Sequence, residues 1–93
     1  MTEQELKELH EHCHNNKVSI KKSKMVGCFY CLEIYPKEDI QEWTPRSGNA
    51  ICPKCGVDSV LGQIHFDSVK ELKKVLPQMY DVWFKVAVRL IHE

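Results

Sequence analysis

The chain has no charge excess of either sign. Its 13 Lys and Arg balance 13 Asp and Glu, and its pI lies near 6.9. Proteins dedicated to nucleic acid or to membrane surfaces carry a basic excess, so the balance argues against both classes. No apolar run approaches the ~20 residues of a membrane span. The opening residues, Met1-Thr2-Glu3-Gln4-Glu5, are acidic and polar, unlike a secretory signal. Repeats, low-complexity tracts and long linkers are also missing. These absences together lead us to expect a cytoplasmic protein without a membrane partner. Folding at this length buries only roughly 60–65% of the unfolded surface, so the core is thin and a staple is needed.

What the chain does have is five cysteines in 93 residues. Where thiols are kept reduced, cysteines point to metal ligation before disulfides. Cys28-x-x-Cys31 and Cys52-x-x-Cys55 are two CxxC pairs twenty residues apart. Four thiolates match the tetrahedral demand of Zn²⁺, and a CxxC turn aims its backbone amides at the sulfurs and offsets part of their charge. Gly56 suits the positive-φ position after the second pair. Leu32 stands at that position after the first, which predicts a less regular turn. The expectation is one Zn²⁺ per chain on Cys28, Cys31, Cys52 and Cys55. A rubredoxin-like iron centre uses the same ligands, but it favours glycine after both pairs and a strongly acidic chain. A four-thiolate site is closed and leaves no position for water, so the ion is expected to be structural and the protein not an enzyme.

The stretch Gly27-Cys28-Phe29-Tyr30-Cys31, the step Glu42-Trp43 and the block Cys52-Pro53-Lys54-Cys55-Gly56-Val57-Asp58-Ser59-Val60-Leu61-Gly62 resemble a family of small bacterial proteins labelled only as cytoplasmic proteins. That family shows a GCFYC knuckle, an E-W step, a CPxCGxDSVxG block and a preceding His–Asn stretch, matched here by His14-Asn15-Asn16. The resemblance runs from about His14 to Gly62, and more loosely over Leu72 to Phe84. It implies a zinc-ribbon-like module, cytoplasmic residence and Cys28, Cys31, Cys52 and Cys55 as ligands. It brings no activity, and it leaves Asp58 and Ser59 without a role. A treble clef, in which a helix follows the second knuckle from Asp58, is the competing topology. Its nuclease members place a catalytic histidine between the two pairs, and no histidine lies between Cys31 and Cys52.

The flanks read as helices. Thr2-x-x-Glu5 is a capping box, followed by Leu6, Leu9 and Cys13 at helical spacing, which predicts a helix from about Thr2 to His14. Asn15-Asn16 is its stop. Val18-Ser19-Ile20 fits either a short strand or more helix. Glu42-Trp43-Thr44 and Ala50-Ile51 read as short strands, and Pro36 to Ile40 as one helical turn. Ser68-x-x-Glu71 opens a second helix that Pro77 should kink or restart. The predicted fold is α+β, a single domain over 1–93. It comprises an N-terminal helical segment (1–24), a four-cysteine zinc ribbon with rubredoxin-like knuckles (25–66) and a C-terminal helix (67–93).

Charge is segregated among these parts. Lys7, Lys17, Lys21, Lys22 and Lys24 outnumber four Glu in the first. Six acids outnumber Lys37, Arg46 and Lys54 in the centre, and five bases outnumber Glu71, Asp81 and Glu93 at the end. Lys17 to Lys24, beside Phe29 and Tyr30, is a possible footprint for single-stranded nucleic acid. The acidic ribbon and its thiolates repel phosphate, so this partner is not favoured. His10 and His14 at i,i+4 fit either a solvated pair or a second metal. Cys13 reads as a small core residue, since no third group accompanies a Cys13–His nucleophile. Asp39, Glu38 and Glu42 read as surface, and Tyr35 and Trp43 as core.

The C-terminal helix has one narrow polar stripe, whereas a surface helix needs an apolar stripe of only about 100°. Apolar residues including Val82, Trp83, Phe84, Val86, Val88 and Ile91 then remain to be covered. The expectation is a homodimer or a protein partner on this helix, and a zinc-stabilised protein-interaction module as the function.

Overall fold

The computed structural model describes residues 2–85. Helix α1 spans Glu3–His10 and tightens into a 3-10 turn at Glu11–Cys13. Its capping box is complete: Thr2 Oγ1 accepts from Glu5 N, and the Glu5 carboxylate accepts from Thr2 N at 3.1 Å. The chain stops at Asn15, which takes a left-handed φ of 43°. Val18 to Ile20 then proves helical, within α2 (Lys17–Lys22). Three short strands follow, β1 (Met25–Cys28), β2 (Ile34–Pro36) and β3 (Val60–Gly62), in an antiparallel sheet of order β2-β1-β3. The architecture is therefore α+β. Among the described residues no helix is long and apolar enough to cross a membrane.

Side chains alternate across this sheet as a pleat requires. Val26, Cys28, Tyr35 and Val60 face one way and join Ile20, Ile40, Ala50 and Cys52 in one buried cluster. Leu61 faces the other way and joins Leu6, Leu9, Phe29, Leu72, Val75, Leu76 and Met79, with Ile34 packed beside them. The second cluster is the floor for α3 (Val69–Tyr80), whose N-cap Ser68 accepts from Glu71 N at 3.1 Å. Gly27 lets α3 come so close, because a Cβ there would stand 2.8 Å from Leu76 Cδ1.

Several sequence expectations are corrected. Glu42–Thr44 and Ala50–Ile51 are not strands; a single bridge joins Trp43 to Ala50. Pro77 does not restart α3, which runs through it to Tyr80 and then widens into a π turn at Asp81–Lys85. Pro77 and Lys73 both lie on the exposed side, where water can take the carbonyl that the proline leaves without a donor. Of the apolar residues on the C-terminal helix, Val82, Trp83 and Phe84 are half-buried and pack on the α1–α3 core. Val86, Val88 and Ile91 lie outside the described residues.

Asn16 ties the helical and sheet layers together. It is buried, donates from Nδ2 to the Val60 carbonyl at 2.9 Å and accepts the Ala50 amide at 3.0 Å. Each buried backbone group left without a partner costs about 1–3 kcal/mol. Asn16→Ala orphans two and should lower unfolding free energy by about 3 kcal/mol in denaturant titration, whereas Lys17→Ala next to it should cost no more than about 1 kcal/mol.

Candidate metal centre

The two CxxC turns are built alike. In the first, Cys28 N donates to the Glu33 carbonyl at 3.1 Å and Leu32 N to the Cys28 carbonyl at 2.9 Å. In the second, Cys52 N donates to Val57 O at 3.0 Å and Gly56 N to Cys52 O at 2.8 Å. The correspondence extends to the backbone, since Leu32 has φ 67° and Gly56 has φ 80°. The expectation of a less regular first turn is thus corrected: Leu32 takes the glycine conformation, at a steric cost of roughly 1–2 kcal/mol. β1 ends on Cys28 and pairs with β2 to form the first hairpin, and β3 leads away from the second knuckle against the same strand. Central β1 therefore holds both knuckles in one frame.

This frame brings all four sulfurs within 4.8 Å of one another. Cys28 Sγ lies 3.6 Å from Cys55 Sγ, and Cys31 Sγ lies 3.7 Å from Cys52 Sγ. A disulfide is ~2.05 Å long, so these are free thiols. A tetrahedral ion with ~2.3 Å bonds to sulfur requires sulfur–sulfur edges of about 3.8 Å. These two edges match such an ion, and the other sulfur pairs lie within 4.8 Å. Cys28 and Cys52 are buried and Cys31 and Cys55 half-buried.

Polar groups around the sulfurs favour thiolate. Ser59 Oγ lies 3.1 Å from Cys28 Sγ, and Tyr30 N donates to the same sulfur at 3.4 Å. Burial pushes the Cys31 thiol up to about 11, helped by neighbouring sulfurs and opposed by the Glu33 amide. Burial and neighbouring sulfurs also raise Cys55, against the Val57 amide. Burial would raise Cys52 too, but the Tyr35 hydroxyl and the amides of Lys54 and Cys55 outweigh it and bring Cys52 down to about 7. The Tyr35 hydroxyl is buried with no partner meeting hydrogen-bond geometry, yet it lies close enough to Cys52 to act on it, and a Cys52 thiolate is the acceptor it suits. A cation held by these sulfurs would deprotonate its thiol ligands on binding.

The structure divides the remaining histidines. His10, Cys13 and His14 bring their ligand atoms within 4.8 Å of one another, whereas His12 stacks on His65 with ring centroids 3.9 Å apart. Burial, then Asp58, pushes the Cys13 thiol up to about 12, which removes it as a thiolate nucleophile. Burial, then His14, holds His10 below the usual imidazole range. Asn49, buried and not singled out by the sequence, accepts Asn15 N at 2.7 Å and donates to Asp58 Oδ2 at 3.2 Å. The same amide reaches His14 Nδ1 at 3.3 Å. Asp58 and Ser59 thus acquire places, one in this network and the other on Cys28. Glu38, Asp39 and Glu42 are exposed, as expected.

No family model, curated protein or solved structure matches this chain.

The paired knuckles allow a direct test of backbone strain. Leu32 is exposed, so Leu32→Gly removes the strain without opening the core and should raise unfolding free energy by about 1 kcal/mol. A Cβ at Gly56 would meet nothing within 4 Å, so Gly56→Ala carries only the backbone penalty and should lower it by about 1 kcal/mol. Thermal or chemical denaturation of the metal-loaded chain reads both signs.

Proposed function

We propose that the protein is a zinc-stabilised protein-interaction module, built as a ribbon of two cysteine knuckles clamped between helices. The observation that carries this reading is the sulfur geometry, with edges of 3.6 and 3.7 Å against the about 3.8 Å of a tetrahedral zinc–thiolate site. Ribbon topology is favoured over a treble clef because Val60–Gly62 is a strand where the latter would start its helix. Four filled positions leave none to activate water, so the ion stabilises the fold and does no chemistry. Thiolate ligands imply a reducing, cytoplasmic setting.

A protein partner fits better than nucleic acid. Lys17 Nζ lies over the Trp43 ring, 5.6 Å from its centroid, so one cation of the basic run is used within the fold. Four thiolates around one Zn²⁺ add two negative charges to the acidic centre. Where the first knuckle meets the end of α3, Tyr30, Tyr80 and Phe84 form an aromatic group, with Tyr30–Phe84 centroids 4.9 Å apart. Tyr30 and Leu32 are exposed beside it. A second copy of the chain is the proposed occupant of this end of the C-terminal helix, two-fold closure being the commonest.

Elemental analysis of the purified chain should find zinc and no iron. Removing the ion should unfold the protein, because structural zinc contributes about 10–16 kcal/mol against a net domain stability of about 5–15 kcal/mol. Cys52→Ser should lose that ion and the cooperative thermal transition together; a fold indifferent to chelation rejects the reading. Sedimentation velocity should show a dimer whose population rises with concentration and falls in Tyr30→Glu at unchanged zinc content. A monomer at every concentration rejects self-association.

A further inference from the structure

We propose that His10, Cys13 and His14 form a second metal site, a three-ligand N₂S set for Zn²⁺ or a similar transition cation, with its fourth position open to a cavity. These residues are separate from the four-cysteine centre, so the proposal does not depend on that reading. The convergence has a local cause. α1 gives way to a 3-10 turn at Glu11–Cys13, and His14 leaves it in extended conformation, with φ −100° and ψ 136°. Donors from three positions of one short segment thereby come within 4.8 Å of one another. Zinc bonds of ~2.0–2.3 Å to nitrogen and sulfur call for donor separations of about 3.3–3.6 Å, so binding draws the three donors inward from separations that now reach no more than 4.8 Å. Two imidazoles and one thiolate are borderline-soft donors, suited to zinc and its neighbours rather than to calcium or magnesium.

The surroundings are those of an open site. His10, Cys13 and His14 line a cavity of about 210 Å³ together with Phe29, Asp58 and Trp83. The His10 ring packs on Trp83 at 3.9 Å between centroids and on Phe29 at 5.8 Å, which limits its rotation. The Trp83 indole N–H is buried without an acceptor, although tryptophan in such a place normally finds one. Asn49 contacts both the His14 ring and the Asp58 carboxylate, so the ligand and a nearby anion are oriented by one buried amide. Three protein ligands with a vacant position facing a cavity are the arrangement in which a metal holds an exchangeable water. Asp58, on the wall of the same cavity, offers that water an acceptor. Binding replaces the Cys13 S–H proton by the metal and releases that proton to solvent.

The test uses the full chain with its four-cysteine centre loaded with zinc, titrated with Co²⁺ at neutral pH. One further equivalent should bind without zinc release. It should bring a near-ultraviolet thiolate-to-cobalt charge-transfer band and visible bands of a low-coordinate ion. Cys13→Ser should abolish the charge-transfer band. His14→Gln, at an exposed position where the new amide can still meet Asn49, should weaken Co²⁺ binding at least tenfold and leave zinc content unchanged, so the test stands even where Cys13→Ser fails to fold. Absence of the band, a band matched by equal zinc release, or Co²⁺ binding indifferent to His14→Gln would each overturn the proposal.

Discussion

Four thiols crowded into one small space are the constraint on which the rest of this structure depends. Buried thiols at 3.6–3.7 Å repel one another as soon as more than one ionises. A divalent cation turns that repulsion into attraction. The sheet cannot supply the holding force, because its strands are only four, three and three residues long, and sheets this small need outside packing to persist. β1 is therefore both framework and ligand carrier: its last residue is Cys28, and both neighbouring strands register on it. An ion on the sulfurs pins both hairpin arms to one point.

The sheet separates two halves that meet different needs. One face carries the sulfurs with Val26, Tyr35, Ala50 and Val60. The opposite face is an ordinary hydrophobic contact between Leu61, α1 and α3. The first half is thin and relies on polar tethers: Asn16 to Val60 and Ala50, and Asn49 to Asn15 and Asp58. The loop between the knuckles has little regular structure, so its backbone groups pair through a few turn bonds, such as Ile51 N to Glu42 O, and through side chains in place of a long strand ladder. Thr44 illustrates this, accepting Asn49 N on its hydroxyl at 2.9 Å.

The parts legible in the sequence were those encoded within a few residues. The two N-caps, the Asn15 stop, the CxxC pairs and the positive φ of Gly56 are all local rules, and the structure keeps them. Nonlocal geometry was not legible. Leu32 adopts a glycine conformation because the paired hydrogen bonds of the knuckle override the preference of one residue. Trp43 and Ala50 bridge once without becoming strands, since the asparagine tethers satisfy that loop. Pro77 stays inside α3 because its missing donor falls on the solvent side, a fact of orientation that depends on where the core lies. The burial of Asn16 and Asn49 gave no signal, because it rests on tethers to distant positions, 44 residues away for Asn16 with Val60 and 34 for Asn49 with Asn15. The pattern of His10, Cys13 and His14 was visible, but their convergence required the break from α to 3-10 winding.

Asp58 and Ser59 show how the two histidine- and cysteine-bearing regions are connected. They are adjacent in sequence, leave the second knuckle together and point to different tasks: Ser59 to the Cys28 sulfur, Asp58 to the Asn49 amide that also reaches His14. Phe29 N donates to the Ser59 carbonyl at 3.0 Å, and the Phe29 ring in turn packs against His10. The backbone that sets the four sulfurs thus also sets the wall of the cavity beside α1. Residues 57–60 join the second knuckle to β3, and Asp58 among them stands with Phe29 on the cavity wall beside His10 and His14. The histidine cluster thus borders backbone that also serves the four-cysteine centre, while its donors come from a segment that lies before the first knuckle.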